Sequence, residues 1–562
     1  MDAEEAEIAE HKSARLRETR FGSAPGSLGH LFSPASLSHY RRRMATATLP
    51  LFRNEPVTDF SQPAHRQAME SALQEVRAEF GREYPLRLGG ESIFTGDKLI
   101  SVNPSNTGEV VGIHHKATRE LAGRAVEAAW AAFPQWAATP AEERIRLTVE
   151  VARILRDRKF EFDAWLVYEA GKTWPEADAD VAEAIDFCEY YAREMERLAG
   201  PHPVVQLPGE RDEMVYLPLG AGVVIPPWNF PLAIMVGMTV ASLVTGNTAI
   251  VKPSSETPTI GAKFAEVLRQ AGFPESAFTL LTGSGAAVGD VLVEHPRTRY
   301  ISFTGSRDVG LRINELAART QPGQIWIKRV IAEMGGKDAI VVDADADLDK
   351  AVDGVLFSAF GYQGQKCSAC SRAIVDARVY EQFLEKLVPK VRSLRVGPAD
   401  DPANFMGPVI SAGARKTILD YIEIGKREGR LLAGDAAVAE SGYFVPPTVI
   451  ADIEARDRIF QEEIFGPVLA VAKARNFEHA LELANDSQYG LTGAVFSNTP
   501  EHLHEARRHF HVGNLYFNRK CTGAMVGAHP FGGFNMSGTD SKAGGPDYLL
   551  LFLQAKSIAT KM

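Results

Sequence analysis

Four short apolar segments alternate with helix-like segments between residues 222 and 318, and this alternation constrains the fold more than any other feature of the chain. The segments lack the apolar–polar alternation of a half-buried strand, which is typical of parallel strands covered on both faces. The predicted strands lie at 222–225, 248–251, 278–281 and 300–303, and the predicted helices at 232–244, 259–271, 286–293 and 309–318. The pattern predicts an α/β domain with a parallel sheet, an architecture that suits a dinucleotide.

A second α/β series follows without repeating the sequence of the first. Its predicted strands lie at 339–342 and 372–375, and its predicted helices at 348–359 and 380–394. Ahead of both series, residues 117–191 carry apolar side chains at spacings of three and four, which predicts two or three amphipathic helices. The chain is therefore predicted to contain two parallel-sheet α/β domains.

Residues 200–217 contain Pro201, Pro203, Pro208 and Gly209 between strand-like flanks, and they are predicted to form a projecting hairpin. This segment and the apolar residues 548–553 favour edge strands that a second subunit completes, so a homo-oligomer, dimeric or larger, is expected. The predicted units are an extension at 1–47, a cofactor-binding domain at 48–199 and 219–333, a catalytic domain at 334–522, and an oligomerisation arm at 200–218 and 543–562.

Composition excludes several classes of function. The formal net charge of −10 gives no electrostatic footprint for nucleic acid or for an anionic membrane surface. The longest unbroken apolar stretch, residues 232–245, is shorter than the roughly 20 residues that a membrane span needs. Four cysteines are too few to cross-link 562 residues, so a reducing compartment, the cytoplasm, is expected.

Residues 1–43 differ from the rest of the chain. Acidic residues near the start give way to a Gly/Ser/Pro-rich stretch and then to arginines at 41–43 before Met44. A transit peptide is poor in acids and a secretory signal has an apolar run, so neither is expected. The segment is predicted to be a disordered tail or an upstream mis-start, with Met44 as the initiator.

Two polar side chains stand where predicted strands of the first series end. Asn229 lies in the sequence Pro-Trp-Asn-Phe-Pro and could present its amide to an oxyanion, while Lys252 ends the next strand and could meet a ribose or a phosphate. Taken alone, an Asn between prolines is more often just a turn residue, and a Lys after a strand is usually a solvated strand end.

A third strand end carries Gly305 and Ser306, where small residues let backbone N–H groups approach a pyrophosphate. Upstream, Gly283, Gly285 and Gly289 resemble the dinucleotide fingerprint but have one residue too many before the last glycine. A conventional Rossmann loop is therefore not expected.

Two further motifs carry reactive side chains: Glu-Met-Gly-Gly-Lys at 333–337 and Gly-Gln-Lys-Cys-Ser at 364–368. Oxidation of an aldehyde to an acid needs a thiolate, a donor for the oxyanion, a hydride acceptor and a base that activates water. Cys367, Asn229, NAD and Glu333 would supply these four. The alternatives for Cys367 are a small buried apolar residue, or a redox or metal pair with Cys370, but a lone C-x-x-C lacks a second ligand pair and no metal is expected.

These motifs, in this order and spacing, resemble those of the aldehyde dehydrogenase superfamily, and the resemblance covers roughly residues 48–562. It implies two α/β domains, a small β oligomerisation arm and NAD as the cofactor. In Glu-Ile-Phe-Gly-Pro at 463–467, it implies that Glu463 binds the nicotinamide ribose and that Phe465 lies beside the ring. The other residues expected to bind the cofactor are Ile225, Trp228, Lys252, Ser255, Gly285, Gly305, Ser306 and Gly335.

Within the superfamily, the chain most resembles the 1-pyrroline-5-carboxylate dehydrogenase family of the single-function bacterial type. The stretches that carry this resemblance lie at 52–56, 361–369, 513–520 and 530–533. It implies NAD(P)-dependent oxidation of L-glutamate γ-semialdehyde to glutamate, the second step of proline degradation. Ser368, Gly523 and Ala524 would hold the carboxylate and amino group of the substrate, and Phe230 and Phe531 its aliphatic part. On the residues alone, an ordinary loop is favoured for Gly523 and Ala524, and ordinary core positions are favoured for both phenylalanines.

One departure from the family concerns the cofactor. The family commonly has Glu three residues after the adenosine-site Lys, whereas this chain has Ser255 there and Glu256 displaced by one. NADP therefore stays open beside NAD, which is the first choice. The alternatives in function are an aldehyde dehydrogenase for another small semialdehyde, a non-catalytic member of the family, and a redox dithiol protein.

Overall fold

The structure, a computed structural model, describes residues 49–562, so the predictions for the N-terminal extension lie outside the described residues. The described helices are α1 (Pro63–Ala78), α2 (Arg119–Ala137), α3 (Ala141–Asp157), α4 (Lys159–Ala170), α5 (Trp174–Ala199), α6 (Ala233–Val244), α7 (Pro258–Gln270), α8 (Asp290–Glu294), α9 (Arg307–Ala318), α10 (Leu348–Phe360), α11 (Tyr380–Arg392), α12 (Ala412–Glu428), α13 (Arg458–Gln461), α14 (Phe477–Asn485) and α15 (Pro500–His509). A π-helical turn covers Gly285–Gly289, and 3₁₀ turns cover Gly361–Gly364 and Tyr548–Phe552.

The strands form two large sheets and three small ones. They are β1 (Arg82–Tyr84), β2 (Leu86–Leu88), β3 (Glu91–Ile93), β4 (Lys98–Asn103), β5 (Asn106–His115), β6 (Glu210–Pro218), β7 (Ala221–Ile225), β8 (Thr248–Val251), β9 (Phe278–Leu280), β10 (Tyr300–Thr304), β11 (Arg329–Glu333), β12 (Asp338–Val342), β13 (Cys370–Asp376), β14 (Arg430–Ala433), β15 (Thr448–Ala451), β16 (Val468–Ala474), β17 (Tyr489–Gly490), β18 (Thr492–Phe496), β19 (Asn514–Phe517), β20 (Phe534–Asn535) and β21 (Leu553–Lys561).

The first large sheet has the strand order β11-β10-β7-β8-β9-β2-β3. Its five strands from β11 to β9 are parallel, while β2 runs antiparallel to both β9 and β3. The strands predicted at 222–225, 248–251, 278–281 and 300–303 are β7 to β10, so the predicted parallel α/β sheet is confirmed.

The second large sheet has the order β14-β15-β16-β13-β12-β18-β19 and is parallel except for β14. The predicted strands at 339–342 and 372–375 are its neighbours β12 and β13. The predicted α/β class with two parallel sheets is therefore confirmed. The domain boundaries drawn from the sequence stay a prediction.

The helical region before the first sheet contains four helices, so the prediction of two or three was wrong. The boundaries fall at Pro140, Arg158 and Gly171. Gly171 ends α4 with a φ of 65°, in the left-handed region where glycine carries no steric penalty. Arg158 separates α3 from α4 with no proline or glycine at the break, so the apolar period continues across it and hides the boundary.

The prediction of a hairpin within 200–217 was wrong, because the strand in this segment pairs with a different part of the chain. The segment before β6 contributes only a single bridge, between His202 and Met214. Instead, β6 pairs along its whole length with β21, from Pro218 opposite Leu553 to Glu210 opposite Lys561. Hydrophobic periodicity within a short window of sequence cannot reveal a pairing between strands that lie as far apart in the chain as β6 and β21. Oligomerisation through this arm stays a prediction.

In the core at the first sheet, a large buried side chain, Tyr300, fills the space beside a glycine, Gly222. Tyr300 of β10 is fully buried, and its ring lies where a side chain at Gly222 of β7 would stand. Strands β7 and β10 are neighbours, and Tyr300 pairs directly with Gly222.

None of the helices between residues 49 and 562 is long and apolar enough to cross a membrane.

The position of the Tyr300 ring predicts that a methyl group added at Gly222 lowers the stability of the fold. Gly222→Ala is expected to lower the free energy of unfolding by about 1–3 kcal/mol, because the ring must leave its position. The matched control is Gly123→Ala in α2, where no atom lies within 4 Å and where Ala should stabilise the helix by about 0.5–1 kcal/mol. Thermal and urea denaturation measure both changes; equal stability of the two variants would contradict the packing argument.

Candidate active site

The reactive residues predicted from the sequence lie at the carboxyl ends of strands in the first sheet and in loops of the second. Asn229 follows β7, Ser306 follows β10, and Glu333 is the last residue of β11. Cys367 precedes β13, and Glu463 precedes β16. Because carboxyl ends of parallel strands meet at one edge of a sheet, the first three residues share that edge.

The loop that carries Cys367 is anchored at several points. Tyr362 and Gln363 both have positive φ, 48° and 56°, and both side chains are buried. The Tyr362 hydroxyl donates to the Ala170 carbonyl at 2.9 Å, and the Gln363 amide donates to the Gly171 carbonyl at 3.0 Å. These bonds hold the backbone in a conformation that it would not keep unaided, so the position of the partly exposed Cys367 is fixed.

The Cys367 thiol lies in surroundings that favour its neutral form. Burial raises the pKa of this thiol, and the carboxylates of Asp338, Glu333 and Glu463 raise it further. A thiolate is the nucleophilic form of cysteine, so this thiol must lose its proton before it attacks. All four cysteines of the chain are free.

Asn229 is 4% exposed, and its amide is directed at the nucleophile loop. Its Nδ2 donates to the Gln365 carbonyl at 3.1 Å, two residues before Cys367. Gln365 is itself held, because its side-chain oxygen accepts from the Ile410 N–H at 2.9 Å. An amide N–H donor is therefore placed beside the backbone that leads to the sulfur.

Glu333 is 9% exposed, and its two carboxylate oxygens differ in their surroundings. Oε1 accepts a hydrogen bond from the Ser541 hydroxyl, whereas Oε2 is buried without a partner among residues 49–562. Burial raises the pKa of this carboxyl to about 8, while Ser541 and the charge of Lys542 act in the opposite direction. A carboxyl in this range can exchange a proton near neutral pH.

Glu463 contacts the motif that contains Glu333. The Gly336 N–H donates to its Oε1 at 3.0 Å, and a side chain at Gly335 would overlap its carboxylate. Burial raises the pKa of Glu463 to about 7. Two residues on, the Phe465 ring meets the Trp228 ring edge-on, with centroids 5.4 Å apart.

Two segments that were predicted from the sequence to bind the cofactor line one cleft of about 450 Å³. Ser306 caps α9, since its hydroxyl accepts from the Val309 N–H at 3.4 Å, and the Gly305 N–H donates to the Glu333 carbonyl at 3.0 Å. The cleft is lined by Ser306, Arg307, Asp308, Tyr421, Glu462, Glu463, Gln488 and Tyr489. Ser306 and Glu463 come from separate motifs and share this one space.

The residues predicted at the adenosine end lie along the same sheet edge. Lys252 is buried, its ammonium donates to the Pro253 carbonyl at 3.1 Å, and burial lowers its pKa to about 8. The Ser255 hydroxyl donates to the Gly283 carbonyl at 3.4 Å. Gly285 begins the π-helical turn with no atom within 4 Å of where a side chain would lie. Ile225, at the end of β7, packs against the hydrophobic core.

The residues predicted to bind substrate are held in different ways. Ser368 is mostly buried, and its carbonyl accepts from the thiol of Cys521 at 3.4 Å. Gly523 has a φ of 76°, and its carbonyl accepts from Arg519 at 3.1 Å, which fixes the loop that continues into Ala524.

Two aromatic residues complete the predicted substrate set. Phe531 exchanges backbone hydrogen bonds of 2.8 and 2.7 Å with Ala543. The Phe230 ring lies edge-on to Tyr362, with centroids 6.3 Å apart, so it adjoins the nucleophile loop.

Lys172 is a buried cation at the site that the motifs did not single out. Its ammonium lies 3.9 Å from the centroid of the Phe230 ring and 4.2 Å from that of Tyr362, and Asp180 is 3.3 Å away. Asp180 also accepts from the Ala233 N–H at 2.7 Å, at the start of α6. A Gly-Lys pair after a helix is typical of an ordinary helix end, so no sequence motif indicates this role. Among the described residues, no cluster of His, Cys, Asp or Glu is arranged to hold a metal ion.

Residues 94–558 match the sequence profile of the aldehyde dehydrogenase family. The chain belongs to the aldehyde dehydrogenase family. Among aldehyde dehydrogenases, it is 60% identical over 508 residues to the 1-pyrroline-5-carboxylate dehydrogenase of Geobacillus thermodenitrificans, which spans 90% of this chain and 99% of the relative. The enzyme of the same name from Bacillus cytotoxicus is 55% identical over 506 residues, which are 90% of this chain and 98% of the relative.

Solved aldehyde dehydrogenase structures agree with this fold. The crystal structure of 1-pyrroline-5-carboxylate dehydrogenase from Thermus with bound NAD matches with a TM-score of 0.90 and 53% identity, and it covers 92% of this chain and 100% of that chain. Betaine aldehyde dehydrogenase from Staphylococcus aureus, in complex with NAD+, matches with a TM-score of 0.82 and 30% identity over 88% of this chain and 97% of that chain.

The motif at 333–337 lies against the motif at 364–368, and a substitution at Gly336 tests whether this contact positions Cys367. A side chain at Gly336 would overlap the Cys367 carbonyl oxygen and lie 2.6 Å from Oδ2 of Asp338. Gly336→Ala is expected to reduce aldehyde oxidation between about tenfold and 100-fold, because it displaces the nucleophile loop. Gly413→Ala in α12, where the nearest neighbour is 3.8 Å away, is the control. Initial rates of NADH formation, with circular dichroism to verify folding, decide; full activity of Gly336→Ala would refute the argument.

Proposed function

We propose that this chain is the NAD-dependent dehydrogenase that oxidises L-glutamate γ-semialdehyde, formed from 1-pyrroline-5-carboxylate, to L-glutamate in proline degradation. The observation that carries the proposal is that Cys367, Asn229 and Glu333 come from three distant segments and act on one another: the Asn229 amide donates to the loop of Cys367, and the Glu333 carboxylate raises the pKa of the Cys367 thiol. The relatives at 55–60% identity, all named 1-pyrroline-5-carboxylate dehydrogenase, support the choice of substrate.

The proposed reaction begins at Cys367. Its thiolate adds to the aldehyde carbon, a C–S bond forms, and the carbonyl oxygen becomes an oxyanion. The Asn229 amide and the Cys367 backbone N–H donate to this oxygen, and preorganised donors of this kind typically contribute about 100-fold to 1,000-fold in rate. The Gln365 carbonyl, which holds the Asn229 amide at 3.1 Å, keeps that donor in place before substrate arrives.

The residues around the cleft fit a dinucleotide. Lys252 and Ser255 would hold the adenosine ribose, Ser306 at the start of α9 a phosphate, and Glu463 the nicotinamide ribose. Bare backbone at Gly335 lets the Glu463 carboxylate lie directly against it. Bound NAD supplies the acceptor for the hydride. With Ser255 at the position where the family commonly has Glu, we propose that NADP is accepted beside NAD.

Glu333 is proposed to act in the second half of the reaction. It takes a proton from water as the hydroxide adds to the thioester carbon, the C–S bond breaks, and glutamate leaves. Cys367 then regains the thiolate or thiol form. The raised pKa of Glu333, about 8, suits a group that must both accept and release this proton.

The substrate carries a carboxylate and an ammonium at the end opposite its aldehyde. The Ser368 hydroxyl, which can donate and accept, is proposed to contact both groups, and the backbone N–H groups at Gly523 and Ala524 to donate to the carboxylate. Phe230 and Phe531 are proposed to enclose the methylenes. Backbone donors bind a carboxylate without an unpaired buried cation. The Lys172 ammonium against the Phe230 ring would hold that wall in place.

We further propose that the chain forms a homo-oligomer through the arm of β6 and β21, and that it acts in the cytoplasm. The arm leaves apolar side chains exposed, including Leu207 at 56% and Leu217 at 39%. A second subunit would cover such side chains. Four free cysteines suit a reducing compartment.

The substrate assignment predicts a clear preference. The kcat/KM for L-glutamate γ-semialdehyde should exceed that for succinate semialdehyde by at least about 100-fold, because only the first substrate has an α-amino group to match the site. Cys367→Ala should abolish oxidation and leave NAD binding measurable by calorimetry. Equal kcat/KM values would favour another small semialdehyde as substrate, and full activity of Cys367→Ala would reject the nucleophile.

The pKa of Glu333 predicts the pH dependence of thioester hydrolysis. The carboxylate form grows as pH rises through about 8, so hydrolysis should accelerate from about pH 6 to about pH 9. Glu333→Gln should slow this step by about 100-fold and allow acyl-enzyme to accumulate, visible by mass spectrometry of the quenched enzyme. A wild-type hydrolysis rate in this variant would reject its role as the base.

A further inference from the structure

Residues 537–542 run along the end of the strand that carries Glu333. The Met334 N–H donates to the Ser537 carbonyl at 2.8 Å, and the Thr539 N–H donates to the Ala332 carbonyl at 2.8 Å. Glu333 itself forms an antiparallel bridge with Gly538. The 537–542 segment therefore fixes the backbone of the proposed base on both sides.

The same segment also holds the carboxylate. Ser541 is 4% exposed, and its hydroxyl donates to Oε1 of Glu333. The Gly532 backbone also lies close to this oxygen, since a side chain at Gly532 would be 3.0 Å from it. Oε2 has no partner among residues 49–562. One oxygen is thus held by a hydrogen bond, and the other is buried without a hydrogen-bond partner among residues 49–562.

Lys542 anchors the far end of the segment. Its ammonium donates to the Gly513 carbonyl at 2.8 Å and to the Gly532 carbonyl at 2.6 Å. These bonds tie the segment to the loops that contain Gly513 and Gly532. Ser541 lies between this anchor and the backbone bonds of Ser537 and Thr539, so its hydroxyl has little freedom to turn away.

We propose that Ser541 is a positioning residue for thioester hydrolysis: its hydroxyl holds Oε1 of Glu333 so that Oε2 faces the attacking water. This inference rests on the proposed function of Glu333 as the base. The proton of water passes to Oε2, the hydroxide bonds to the thioester carbon, and the C–S bond breaks to release the Cys367 thiolate, while the proton of Ser541 stays on its own oxygen throughout. A donor to the carboxylate stabilises its charged form and opposes the effect of burial.

The test separates acylation from hydrolysis with 4-nitrophenyl acetate, an ester that acylates a thiolate and releases a coloured product without cofactor. The burst measures acylation and the steady rate measures hydrolysis. In Ser541→Ala, the burst should stay within about twofold of wild type, and hydrolysis at pH 7 should fall about tenfold, since a hydrogen bond to a charged group is lost. The midpoint of the pH profile of hydrolysis should rise by about one unit.

Two further variants control the experiment. Ser541→Thr keeps a hydroxyl and should restore both the hydrolysis rate and the pH midpoint. Thr539→Val removes the 2.9 Å bond from the Ala332 N–H to the Thr539 hydroxyl but touches no carboxylate oxygen, so it should leave the pH midpoint unchanged. An unchanged hydrolysis rate and pH midpoint in Ser541→Ala, or an equal fall in burst and hydrolysis, would overturn the proposal.

The design distinguishes this inference from the proposed function. If the wild-type enzyme does not oxidise L-glutamate γ-semialdehyde and Ser541→Ala still shifts the pH profile with the ester, the substrate is wrong and the positioning role stands. If Glu333→Gln hydrolyses its acyl-enzyme at the wild-type rate, Glu333 is not the base and the role of Ser541 falls with it.

Discussion

The turn at residues 170–172 is the constraint on which the geometry of the site depends. Gly171 turns the chain with a φ of 65°, and a side chain there would lie 2.9 Å from Pro408. The turn presents the carbonyls of residues 170 and 171 to Tyr362 and Gln363, and it places the Lys172 ammonium between the Tyr362 and Phe230 rings. The helices before the first sheet thereby hold both the loop of the nucleophile and the loop of the oxyanion donor. Neither loop belongs to regular structure, so this shared support is what brings them into register.

Burial sets the electrostatics of the site. It raises the pKa of Glu333 to about 8, raises that of Glu463 to about 7, lowers that of Lys252 to about 8 and raises that of the Cys367 thiol. Each shift favours the neutral form of its group. These groups therefore carry less charge than they would in water, and charges that develop in a reaction would be little screened by water. Such a site gives fixed hydrogen-bond donors, including Asn229, more effect than they would have in solvent.

The sequence predicted both large sheets because buried parallel strands leave a local pattern, and it singled out Cys367 and Glu333 because each stands in a short motif near a strand end. It failed where structure depends on distant contacts. The break at Arg158 interrupts no apolar period, and the pairing of β6 with β21 joins segments with no local sign of each other. Lys172 follows a helix and Ser541 lies in a polar loop, so only the folded chain reveals their contacts with Phe230 and Glu333.

The pairing of β6 with β21 orders events during synthesis. Strand β6 leaves the ribosome long before β21, and β11, at one edge of the first sheet, receives its cover from residues 537–539 equally late. From the synthesis of β11 until residues 537–539 emerge, the first sheet therefore has an unprotected edge, and β6 stays unpaired until β21 is made. Exposed edges of this kind invite pairing with other nascent chains, and contacts of high sequence separation form slowly. Chaperone demand should accordingly concentrate on the interval between the emergence of the first sheet and that of the final strand.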